Sequence, residues 1–433
     1  MAKIKTIYEC IECGYKSAKW MGKCPACGSW ESFIEISEKK SKVSTSKKAK
    51  ILRFDEIEKE DIQRFSSGNS ELDLVLGGGI VPGSLILIGG SPGVGKSTLM
   101  LKLAGNIDKK VLYVAGEESP GQIKIRANRL GINNKELYLM PEIVVENIID
   151  EIKNGYELVI IDSIQTIYSQ KLQSAPGSVS QVREATFELM RVAKELKIPI
   201  FIIGHITKEG SIAGPRVLEH MVDTVLYFEG DASKELRILR SFKNRFGSTS
   251  EIGIFEMTKE GLVSAKNRSF FSKKPIAGSA ITVILEGTRP IVLEVQALVS
   301  ESYSIPKRSA TGFDLARLNM ILALLEKKLN LPFNQYDVFV NVTGGIKINE
   351  TGADLAIIAA IVSSFRDRKI SKDSVFIGEV SLVGDIRDVS GIEQRVKEAT
   401  NLGFKKAIIP SKPLVEHIKC YEVKEVERLL EWM

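Results

Sequence analysis

The sequence lacks any long apolar run: nowhere in its 433 residues does it hold the ~20 uninterrupted apolar side chains that a membrane-spanning helix needs. The N-terminus, Met1-Ala2-Lys3-Ile4-Lys5, leads into a cysteine pair without an apolar secretory core. A cytoplasmic location with no membrane partner is therefore expected. Cysteine is scarce. Four of the five cysteines stand in two Cys-x-x-Cys pairs near the N-terminus, which excludes a disulfide framework and, in a reducing compartment, points to metal. A dominant charge is missing too: 60 Lys and Arg against 54 Asp and Glu leave a net +6. That balance permits a polyanionic partner without demanding one. No internal repeat is evident. A hydrophobic share of 44% and a charged share of 26% fit a soluble globular chain, and the length suggests roughly two to four domains.

Four regions are expected. Residues 1–36 hold the cysteine pairs. Residues 37–59 begin as a lysine and serine run with little to bury, which suits a basic linker, phosphate contact being the alternative. Residues 60–265 alternate short apolar runs, such as Leu85–Ile88, Val111–Val114, Leu158–Ile161 and Ile200–Ile203, with helical stretches such as Val182–Leu196. Continuous apolar runs of that length suit strands buried on both faces of a mainly parallel sheet, so the fold class is α/β. Residues 270–433 show a second α/β pattern, with a hairpin at 281–285 and 291–295 and helices at 315–329 and 354–365.

Cys10 and Cys13 are separated from Cys24 and Cys27 by ten residues, and Gly14 and Gly28 follow the two pairs. Four thiolates suit tetrahedral Zn²⁺ and fill its shell, leaving no position for a reacting water. One structural zinc held in a zinc ribbon is expected. Cys420 stands alone and reads as a packed side chain.

Gly90-Ser91-Pro92-Gly93-Val94-Gly95-Lys96-Ser97, followed by Thr98, fits the phosphate-binding loop pattern between an apolar strand and a helix opening at Lys96. Its glycines let backbone N–H groups curl around phosphates, and the helix N-terminus adds its positive dipole end. Lys96 is expected to reach the β- and γ-phosphates of ATP, and Ser97 to bind Mg²⁺. Asp162, at the end of the run Leu158–Ile161, suits the second Mg²⁺-holding position; a helix N-cap is the alternative.

Several segments identify the chain as a member of a known family. The lead-in Ser67-Gly68-Asn69-Ser70-Glu71-Leu72-Asp73 with Leu76-Gly77-Gly78-Gly79, the loop Ser174–Glu184, the five-residue Lys243-Asn244-Arg245-Phe246-Gly247 and the cysteine ribbon resemble the bacterial RadA (Sms) DNA-repair family over essentially the whole chain. The resemblance implies a RecA-type motor: a DNA-dependent ATPase in a homohexameric ring, acting as a branch-migration helicase on single-stranded and branched DNA with the recombinase machinery. By position in RecA/DnaB-like domains, Glu117 is the catalytic carboxylate, with Glu118 as the alternative. His205, after the strand Ile200–Ile203, resembles a γ-phosphate sensor, an ordinary strand-end histidine being the alternative. Lys243 and Arg245 would approach the neighbouring subunit's nucleotide. Loops at about 169–180 and 206–216 would face the hole of the ring, with Lys171, Lys208 and Arg216 on the DNA backbone.

The stretches from Val340 to Asp354 and from Gly378 to Gly384 resemble the Lon protease domain, which uses a Ser–Lys dyad. Here Ala353 stands at the nucleophile position and Glu393 at the lysine position. Alanine carries no nucleophilic atom and glutamate cannot act as the neutral lysine base, so no peptidase activity is expected. A Lon-like protease and a RecA-type filament recombinase are the competing readings.

Overall fold

The computed structural model describes residues 5–10, 15–26, 28–38, 53, 63–204, 218–230, 236–258, 260–265, 271, 272 and 274–432. They form two compact units, Met1–Ala265 and Lys266–Met433. Among the described residues no helix is long and apolar enough to cross a membrane.

In the first unit, strands Lys5–Cys10, Lys16–Ser17 and Phe33–Glu38 make a small antiparallel sheet with Lys5–Cys10 in the middle. Cys10, Cys24 and Phe33 cluster in its small core. Each of these two cysteines opens a tight turn: Cys10 N–H donates to Tyr15 O (2.9 Å), Cys24 N–H to Ser29 O, and Gly28 N–H back to Cys24 O (both 2.8 Å). Cys13 and Cys27 lie outside the described residues.

The large sheet of this unit runs in the order Gly261–Ser264, Ile252–Thr258, Leu236–Asn244, Thr224–Glu229, Leu85–Gly90, Ile200–Ile203, Leu158–Asp162, Val111–Ala115, Leu137–Met140. From Thr224–Glu229 to Leu137–Met140 the strands are parallel; the first three are added antiparallel. Alternate side chains feed two cores. Ile86, Ile88, Val111, Tyr113, Ile160 and Phe201 face one, while Leu85, Leu87, Leu112, Val159, Ile161 and Ile200 face the other. The period of two therefore puts apolar groups on both faces, and the sequence reads as unbroken apolar runs. The fold is a zinc ribbon and a RecA-like P-loop domain with a mainly parallel sheet, followed by a second α/β unit that is Lon-like.

That second unit carries a seven-stranded mixed sheet centred on the hairpin Ser279–Glu286 and Arg289–Glu301. Helix Asp354–Phe365 is apolar nearly all round and buried from Asp354 to Ser363, which is how a helix inside a core must read. Ala353 is fully buried at its start. Beside it, the bidentate pair of Arg395 and Glu350 packs against the backbone of Gly352. Arg395 Nη1 also donates to Val283 O at 2.8 Å, and its Nε to Ser390 O at 2.9 Å. Glu393 is exposed in the first turn of helix Ile392–Asn401.

Candidate active site

Strand Leu85–Gly90 ends in the loop that precedes helix Lys96–Asn106. Gly90 has φ +149°, and a Cβ there would lie 2.4 Å from Phe228 O on the neighbouring strand; only glycine lets the chain turn away so close to the sheet. The helix starts from Gly95 in the left-handed region, with no side-chain cap. Its first N–H groups point into the loop, as an anion site at a helix N-terminus requires. Arg237 is buried beneath the loop, where its Nε donates to Val94 O at 3.1 Å.

The charged groups gather where the parallel strands end. The Lys96 ammonium is buried and donates to Gly90 O (2.7 Å) and Ser91 O (3.0 Å). Burial lowers its pKa to about 8, against the opposing pull of Asp162 and Glu117. Asp162 closes strand Leu158–Asp162 and pairs in register with Ala115. The next described helix begins only at Val179, so Asp162 is not a helix cap. It accepts a hydrogen bond from the Tyr113 hydroxyl, whose pKa burial and then Asp162 push well above the usual phenol value. Ser163 Oγ donates to Glu117. Glu118 instead pairs with Arg126 at 2.7 Å. Ser97, Tyr113, Glu117, Glu118 and Asp162 line one cleft with Ala115 and Ile123.

Lys243 and Arg245 stand elsewhere. Lys243 pairs in register with Val225, which pairs with Leu87, whereas Gly90 pairs with Phe228 three residues further on. Lys243 therefore sits about 10 Å back along the strands and two strands across from the loop. Its ammonium donates to Glu219 O at 2.7 Å and His220 O at 3.3 Å, and burial followed by Arg245 lowers its pKa. Arg245 lies 3.5 Å from the buried carboxylate of Asp223. Asp223 also pairs with Lys194 at 2.6 Å and accepts from Leu85 N at 3.0 Å, at the root of the loop strand. Gly247 packs on Gly77, where a Cβ would lie 3.1 Å from Gly247 Cα, and Arg64 bridges Gly77 O and Phe246 O.

Lys171 is half exposed and pairs with Glu188 at 2.8 Å, an interaction that raises its pKa. His205, Lys208 and Arg216 lie outside the described residues. Sequence reasoning missed Tyr113, Ser163, Asp223 and Arg237. Tyr113 sits inside an apolar strand and reads as core. Asp223, next to the strand Thr224–Glu229, carried only the weak signal of an acid beside an apolar run.

Comparisons with known proteins place the chain in a family. A rubredoxin metal binding domain matches residues 8–35, an AAA domain residues 52–211, and the ChlI subunit of Mg-chelatase residues 308–413. The DNA repair protein RadA of Campylobacter jejuni is 59% identical, with all of both chains covered. The chain belongs to the RadA family of DNA repair proteins. RadA of Bacillus subtilis is 51% identical over 95% of this chain and 93% of its own. RadA of Aquifex aeolicus is 48% identical over 100% and 99%. Among solved structures, the RadB recombinase is 25% identical over 46% of this chain and 99% of its own, with a TM-score of 0.37.

Proposed function

We propose that this RadA-family chain is a cytoplasmic DNA-dependent ATPase that works as a homohexameric ring and drives branch migration of recombination intermediates, together with the recombinase machinery. The observation that carries the reading is the division of charge: Lys96, Ser97, Glu117 and Asp162 gather around one cleft, while Lys243 and Arg245 stand two strands across from the phosphate loop, with Lys243 about 10 Å back along the strands. A basic pair held away from its own phosphate loop is suited to a neighbour's. There its charge would stabilise the γ-phosphate in the transition state.

In this reading residues Gly90–Thr98 hold ATP, with Lys96 on the outer phosphates. Ser97 and Asp162 would hold Mg²⁺, which supplies charge neutralisation between the outer phosphates. Glu117 orients and deprotonates the attacking water, and Ser163 fixes its carboxylate. Glu118 is engaged by Arg126, which favours Glu117 for that task. His205 would report on the γ-phosphate, and Lys171, Lys208 and Arg216 would meet the DNA backbone without reading sequence. The turns at Cys10 and Cys24 suit tetrahedral thiolate ligation, with Cys13 and Cys27 completing a structural zinc site.

The peptidase alternative has no support in the second unit. Ala353 is buried, Glu393 is exposed, and the Arg395–Glu350 pair packs beside the turn where a dyad would work. The deciding experiment is ATP turnover with and without single-stranded DNA for the native chain, Lys96→Ala and Lys243→Ala. Turnover stimulated by DNA, abolished in Lys96→Ala, and reduced or uncoupled in Lys243→Ala with nucleotide binding retained is expected. Turnover indifferent to DNA would remove the motor reading.

A further inference from the structure

The cysteine ribbon carries a surface that a structural zinc site does not use. The chain has three tryptophans, and two of them lie in the ribbon. Trp20 is 55% exposed and Trp30 is 72% exposed. Indole is too apolar to be left in water twice in one small module without a partner. Both rings lie beside the Gly22–Lys23 step. The Trp20 ring lies over Gly22, 3.8 Å from where a Cβ would stand. Glu31 N–H donates to Gly22 O at 2.8 Å. Lys23 bridges to Trp30 across the turn and holds its ammonium 5.4 Å from the Trp30 ring centre. Tyr15 is also exposed, at 41%.

The charge beside these rings is mostly positive, with the exposed Glu31 next to Trp30 as the acid among it. Residues 15–30 hold Lys16, Lys19 and Lys23 and no acidic residue. Residues 39–50, which follow the ribbon in sequence, hold six lysines and again no acid. Exposed rings interleaved with lysines match a chain that offers flat π-faces at intervals along a phosphate backbone. Duplex DNA hides its base faces in the stack, so the match is to single strands. A protein partner of this ribbon would gain from apolar contact but would have to answer a surface on which lysines outnumber acids.

We propose that the ribbon is a stacking platform for single-stranded DNA, with bases on Trp20 and Trp30 and phosphates on Lys19 and Lys23. The site uses residues other than those of the loops assigned to the hole of the ring, and it extends the DNA-binding reading above. It would deliver or hold a single strand for the motor.

The third tryptophan, Trp432, packs on Tyr421 with ring centres 4.2 Å apart, so a full-length Trp432→Phe variant reports on the ribbon alone. An oligo-dT strand is titrated into it while tryptophan emission and the anisotropy of the labelled strand are followed together. Emission should fall in step with the anisotropy rise, and added salt should reverse both. Duplex of the same length should quench little. Trp20→Ala and Trp30→Ala should each weaken oligo-dT binding about tenfold, with zinc content unchanged, and phenylalanine at the same positions should restore most of it. Anisotropy that rises while emission stays constant overturns the platform and leaves the motor reading standing. So does a Trp20→Ala/Trp30→Ala double variant that keeps its DNA affinity but loses binding to another protein. Absence of any anisotropy change overturns both.

Discussion

Two helix starts in this chain follow tight turns, one at Gly95 and one at Ala353, and they treat charge in opposite ways. At the first, Lys96, Glu117 and Asp162 converge on a cleft open to solvent, and burial shifts the Lys96 pKa. At the second, every charge is answered within the fold. Arg317 clamps the buried Asp354, which also accepts from Val380 N at 3.1 Å, and Arg395 clamps Glu350. Reactive sites keep charges aimed at something that arrives; structural sites pair them off. The second unit retains the outline of a Lon-like turn and has turned its polar groups to holding the unit together.

The comparison can be broken at several points. Glu117→Gln should lower DNA-stimulated turnover by about 10²- to 10³-fold while ATP binding persists; steady-state hydrolysis and equilibrium binding measured side by side check it, and an active Glu117→Gln would move the role to Glu118. Arg395→Ala should destabilise the second unit by about 3–5 kcal/mol, because it strands Glu350 beside a buried turn. Denaturant melting measures this, and Arg395→Met with Glu350→Leu should recover most of the loss. ATP affinity should be flat below pH 8 and weaken by up to about tenfold per unit above it. The sign follows from the lowered pKa of Lys96, about 8 against 10.5: above that pH the free protein holds a neutral amine, and phosphate binding must take up a proton. Calorimetry in buffers of different ionisation enthalpy reads that proton, and Lys96→Arg should abolish the uptake. The smallest effect is expected from Ala353→Ser with Glu393→Lys, which should leave casein intact, since the lysine would stand on an exposed helix turn. Casein cleavage by this variant would show that the old site lacks only its two side chains.

Much of this was legible in the residues alone. Apolar runs without alternation announced a sheet covered on both sides, and the strand, glycine loop and helix order placed Lys96 and Ser97. Helices 315–329 and 354–365 were read with the bounds the structure gives them. What escaped were contacts between residues far apart in sequence whose types have bland local readings. Tyr113 looks like any aromatic in a buried strand until Asp162 is found against its hydroxyl. Arg395 and Glu350 stand 45 positions apart, and no spacing rule joins them. Lys243 and Arg245 were recognised as a motif, but only the antiparallel register reveals where on the sheet they stand. Likewise the ribbon's tryptophans are unremarkable letters until both are found turned outward.

Asp223 ties that basic pair to the phosphate loop inside one subunit. Its carboxylate accepts from the first residue of strand Leu85–Gly90 and faces Arg245, and its carbonyl accepts from Arg245 N at 3.2 Å. Tugging on Arg245 therefore tugs on the base of the strand that ends at Gly90. One acid thus joins the basic pair to the root of the strand that leads into the phosphate loop.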